Sequence, residues 1–126
     1  MANPLGTKDE TTIKIVHSPD YANCVYPLSA ELKTGTFTYV APSDGILYIT
    51  PVASNLRVFF AINVQAAGAQ SSVRIASFAI DNPGSNSQKT FTILLSKNDT
   101  VTTTELSQNL FITNNSTCFV PFKTTV

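Results

Sequence analysis

The sequence predicts an all-β domain, and three observations carry that expectation. Apolar and polar residues alternate at period two. No window of eleven or more residues holds an i, i+3, i+4, i+7 apolar stripe, and turn-forming clusters recur at short intervals. The alternation is clearest from Val58, where Val58, Phe60, Ile62 and Val64 point one way and Arg57, Phe59, Ala61 and Asn63 the other. Phe91, Ile93 and Leu95 repeat it, with Thr90, Thr92 and Leu94 between. The runs Ile46–Ile49 and 73–80 are β-branched or aromatic with little charge, as suits strands buried on one face.

The turn clusters are Pro42-Ser43-Asp44-Gly45, Asp81-Asn82-Pro83-Gly84 and Lys97-Asn98-Asp99. Pro presets φ, Gly takes positive φ, and Asn and Asp bond their own backbone. Between them, strands are expected near 11–16, 22–28, 36–41, 45–52, 56–65, 72–80, 89–96, 100–105, 109–113 and 117–124. Short strands at this spacing mean a two-sheet sandwich or a barrel. Pro27, Pro51 and Pro121 lack a backbone donor and are expected at strand ends or edges.

The chain has 126 residues, enough for one domain: residues 1–10 read as a polar arm and 11–126 as a single folded unit. Charged residues make up only 13%, and eight Lys+Arg offset eight Asp+Glu. A neutral chain without a basic cluster lacks the footprint for nucleic acid or an acidic membrane surface. The first ten residues carry no apolar core of a signal peptide, and no stretch is apolar enough to enter a membrane. Synthesis in the cytoplasm is therefore expected. Asn98-Asp99-Thr100, Asn114-Asn115-Ser116 and Asn115-Ser116-Thr117 match the glycosylation pattern, which a chain rich in Asn, Ser and Thr produces by chance.

Cys24 and Cys118 read as reduced thiols packed as small hydrophobes, with a disulfide between first and last strands as the alternative. Two Cys and one His far apart show no metal-ligand spacing, so neither metal nor cofactor is expected. Catalysis finds no support either. His17, Ser18 and Asp20 fall within one short turn, where they cannot take the positions of a triad. Asp9, Glu10, Asp20, Glu31, Asp44, Asp81, Asp99 and Glu105 are scattered and read as solvated turn residues, whereas a polysaccharide hydrolase needs two converging carboxylates.

Binding remains. The small-residue tip 66–72 and the turn 82–87 are the expected contact loops, through Ala67, Gly68 and Gln70 in the first and Asn82, Ser85, Asn86 and Ser87 in the second. Tyr21, Tyr26, Tyr39 and Tyr48 are half-polar candidates for a surface contact, and the Phe residues read as core. Low charge lowers the cost of covering a face, so a closed homo-oligomer is expected, with Tyr48, Phe59 and Tyr39 as its contacts.

Ser18-Pro19-Asp20-Tyr21 and the stretch Gly35-Thr36-Phe37-Thr38-Tyr39-Val40-Ala41-Pro42-Ser43-Asp44-Gly45-Ile46-Leu47-Tyr48-Ile49 resemble the C-terminal head domains of bacteriophage tail fibres and related virion proteins. So do Phe91-Thr92-Ile93-Leu94-Leu95-Ser96-Lys97-Asn98-Asp99-Thr100-Val101 and Phe119-Val120-Pro121-Phe122-Lys123. The resemblance implies a jelly roll similar to the tumour-necrosis-factor and complement globular heads, assembled as a trimer. It also implies a non-enzymatic virion component with a host receptor, a glycan among the candidates, and other virion proteins as partners. A decoration protein without receptor binding is the alternative. Asn98 stands where the family's turn commonly has Gly; Asn tolerates the left-handed conformation, so the turn is expected to survive.

Overall fold

The protein is described here from a computed structural model over residues 16–53, 58–80 and 87–125. Among these residues there is no α-helix, and two 3-10 turns, Tyr21–Asn23 and Asn114–Ser116, interrupt eleven strands. In chain order the strands are β1 (Val16–Pro19), β2 (Thr38–Val40), β3 (Gly45–Ile49), β4 (Pro51–Ala53), β5 (Val58–Gln65) and β6 (Val73–Ile80). They continue as β7 (Ser87–Gln88), β8 (Phe91–Leu95), β9 (Thr100–Thr103), β10 (Leu110–Ile112) and β11 (Cys118–Thr125).

The architecture is an antiparallel two-sheet jelly-roll sandwich. One sheet has the order β1-β11-β3-β8 and the other β2-β9-β5-β6, so strands distant in sequence become neighbours. The short ladder β10-β4-β7 extends the sandwich past Thr50. The inward faces follow the period-two pattern. Leu47, Ile49, Ile93, Leu95 and Phe119 from one sheet meet Phe60, Ile62 and Val101 from the other in a single apolar cluster. At roughly 25 cal/mol for each Å² of apolar surface removed from water, a contiguous core of this kind supplies the main force closing the sheets. The buried threonines do not offset it: Thr50 and Thr90 hydroxyls bond at 2.8 Å, and the Thr103 hydroxyl donates to the Thr104 carbonyl at 3.0 Å.

Several expected elements differ. The strand at 22–28 is replaced by the first 3-10 turn and one isolated rung between Val25 and Phe119. His17, expected in a turn, lies in β1 opposite Thr124, because β11 offers that segment a long free ladder. The strand at 45–52 breaks at Thr50, where β4 leaves β11 and β8 for β10 and β7. The strand expected at 11–16 lies outside the described residues except for Val16. Pro121 sits inside β11, though at the last rung of the β3 ladder, opposite Gly45. That rung is unusually close. A Cβ on Gly45 would come within 2.5 Å of Phe119 Cζ and of the Val120 carbonyl oxygen, so only glycine lets the strands approach.

Candidate functional site

Three turns meet at one end of the sandwich, and two carboxylates hold them there. The turns are β2–β3 (residues 41–44), β5–β6 (66–72) and β8–β9 (96–99). Asp99 spans two of them: its Oδ2 accepts from the Ser96 amide at 2.8 Å and its Oδ1 from the Ala67 amide at 3.1 Å. Asp44 spans another two, with Oδ1 accepting from the Lys97 amide at 2.8 Å. Main-chain bonds close the set, the Ala41 amide donating to Asp99 O at 2.9 Å and the Asn98 amide to Ala41 O at 2.8 Å. Asp44 and Asp99 are thus structural acceptors rather than the idle solvated turn residues the sequence suggests. Asn98 has φ 72°, the left-handed value anticipated for it.

The β5–β6 tip is short and bare. The Ala69 amide donates to Ala66 O at 2.9 Å, Gly68 takes φ +81°, and Gln65 Nε2 donates back to Ala69 O at 2.7 Å. Ala67, Gly68 and Gln70 are all exposed at this end. Asn82, Ser85 and Asn86 lie outside the described residues, and Ser87 opens β7. Strand β6 begins beside the tip at Val73 and ends at Ile80. Beside the turns, His17, Asp44 and Phe122 line a shallow groove, with Ser43 and Lys97 on one wall and Leu94 on the other. The His17 ring meets Phe122 edge-on at 6.3 Å.

The second feature is the outer face of the β1-β11-β3-β8 sheet. Register places Tyr48 between Cys118 and Thr92, and Ile46 between Val120 and Leu94, so these side chains share one face, on which Leu94 and Thr92 are exposed, Tyr48, Ile46 and Cys118 half-buried and Val120 buried. None of them carries a formal charge. Leu94 is 72% exposed, and Tyr21 and Tyr26 stand beyond β11 at 63% and 55%. Hydrogen bonding to Tyr21 raises the Tyr48 hydroxyl above its ordinary value, and hydrogen bonding to Cys24 does the same for Tyr26. Exposed apolar side chains therefore gather on this face and at its rim.

The three expected oligomer contacts separate in space. Tyr48 lies on this face. Phe59 is 46% exposed on the opposite sheet, with the Arg74 guanidinium 5.2 Å over its ring, so it is neither core nor a neighbour of Tyr48. Tyr39 turns inward: it sits opposite buried Val101 and packs on Phe37 at 6.2 Å and Phe119 at 5.6 Å. Its ring packs half-buried against the core, and that burial raises its hydroxyl above the ordinary value. The alternation already sets Leu94 opposite Phe91, Ile93 and Leu95, whereas Phe122, read as core with the other Phe residues, is half-buried beside His17.

The class these features define is a jelly-roll sandwich with a braced turn cluster and one uncharged outer face. No family model matches the chain, and no curated protein matches it.

Proposed function

We propose that this chain is a non-enzymatic virion protein of a bacteriophage, a jelly-roll head that assembles with copies of itself as a trimer and presents its turn cluster to a host-surface receptor. The observation that carries the reading is the joint placement of the two features: three turns braced at one end of a sandwich whose adjoining sheet face is apolar and uncharged. The resemblance of the strand–turn–strand segments to tail-fibre heads supports the phage assignment. Covering Leu94, Tyr48 and Ile46 with a sister copy removes apolar area from water with no ion to desolvate. Repetition of the turn cluster around an axis then lets weak contacts with a glycan or protein receptor add into avidity.

Light scattering at micromolar concentration tests the assembly. A particle of three times 13.6 kDa is expected, falling to one copy in Leu94→Lys, and a clean 13.6 kDa species for the unaltered chain overturns it. Receptor binding is tested with labelled protein on bacterial cells and a glycan array. Exchange of the 66–72 tip is expected to lower cell binding. A blank array together with unchanged binding after the exchange removes the receptor role, and a trimer that ignores cells indicates a decoration protein.

A further inference from the structure

Cys24 and Cys118 come from opposite ends of the sequence, yet one rung of backbone brings them to the same spot. Val25 and Phe119 exchange both main-chain hydrogen bonds at 2.8 Å. That reciprocal pair sets the register: Tyr26 stands opposite Cys118 and Cys24 opposite Val120. Both sulfurs therefore fall on one face of the ladder, diagonal across a single rung. Such diagonals span about 7–8 Å between Cα atoms, just past the roughly 6.8 Å a disulfide bridges.

The remaining gap is easily closed from one side. Cys24 belongs to no strand. It follows the 3-10 turn Tyr21–Asn23 as its cap, with its amide donating to Tyr21 O at a long 3.3 Å, and the Val25 rung is the adjacent tether. Cys118, by contrast, sits in the β11–β3 ladder opposite Tyr48. Both thiols are free and half-buried. Burial, and then the proximity of Cys24, raise the Cys118 thiol above its ordinary value, which places the two groups within electrostatic reach.

We propose that Cys24 and Cys118 are a modification site, an intramolecular thiol–disulfide pair that closes when a low-molecular-weight disulfide such as glutathione disulfide oxidises it. One cysteine loses its proton and its thiolate attacks the glutathione disulfide, forming a mixed disulfide and releasing one glutathione thiolate. The second cysteine, deprotonated in turn, attacks the protein sulfur of that adduct and expels the second glutathione. Two protein thiols give up two electrons and two protons, and one glutathione disulfide becomes two glutathiones. The new bond pins the Tyr21–Tyr26 segment to β11 at the rim of the apolar face. This inference is independent of the proposed virion role.

The full-length chain is incubated with glutathione disulfide, alkylated and weighed intact. The expected product is a monomeric chain lighter by two hydrogens, unalkylated, restored to two alkylated thiols by dithiothreitol. Its melting temperature rises on oxidation and returns on reduction. Cys24→Ser and Cys118→Ser each yield a glutathione adduct and no such rise. An unaltered chain that keeps two alkylatable thiols, stops as the glutathione adduct, or links into disulfide dimers overturns the proposal, and this readout needs no variant to fold.

Discussion

Replacing Asp99 by Ala removes the carboxylate that joins the β8–β9 turn to the β5–β6 tip. Two amides lose their acceptor, Ser96 at 2.8 Å and Ala67 at 3.1 Å. A hydrogen bond to a charged group is worth about 1.5–3 kcal/mol when enclosed. Both of these bonds face solvent, and water takes over the freed donors, so roughly 1 kcal/mol each is appropriate and about 2 kcal/mol in total. For a domain of this size that corresponds to a fall of roughly 6–10 °C in melting temperature. Urea denaturation followed by circular dichroism gives the free energy, and amide hydrogen exchange gives its location. Exchange at Ala67 and Ser96 is expected to accelerate while Leu47 and Ile93 in the core keep their protection relative to the new global stability. Asp44→Ala frees the Lys97 amide in the same turn, so the double variant should lose less than the sum of the singles. Unchanged stability with unchanged Ala67 protection would refute the bracing role.

Gly45→Ala places a methyl against Phe119 Cζ and the Val120 carbonyl oxygen at 2.5 Å, and calorimetry should register a loss of about 3 kcal/mol, the upper range for overpacking. Gly68→Ala, with φ +81° and open space around it, should cost only about 1 kcal/mol. Asn98→Val is expected to lose about 1–2 kcal/mol in urea melts because φ 72° strains a β-branched residue, whereas Asn98→Gly should be neutral or better. Tyr39 and Cys118 hold their protons more tightly when folded than when unfolded. Stability should therefore be complete below the unfolded values of 9.0 for Cys and 10.0 for Tyr, and decline as pH climbs through the folded ones. Melting temperature against pH checks the sign, and Tyr39→Phe, which keeps the ring between Phe37 and Phe119, should flatten the tyrosine part of the decline.

Much of the sandwich is legible in the residues, since period-two alternation is a local property. Phe91, Ile93 and Leu95 declare their inward face, and Asn98 declares its left-handed turn, because each depends on a side chain and its own backbone. What local pattern could not supply is which strands become neighbours. Jelly-roll winding sets β11 between β1 and β3, and only that order turns His17 into a strand residue and brings Cys24 beside Cys118. The same holds for surface and core. Alternation separates Leu94, 72% exposed, from Leu95, 3% exposed, but not Leu94 from Val120, which shares its face of the sheet and is 2% exposed, because cover by distant chain is a tertiary fact. Tyr39 and Tyr48 are both half-buried, yet one packs against the core and the other lies on the outer face. Sequence thus determines the alternation, the turns and the low charge, all of which act over a few residues. The braced turn end, the thiol pair and the open apolar face arise only when distant strands pack, since hydrogen bonds and burial act across space without regard to chain separation.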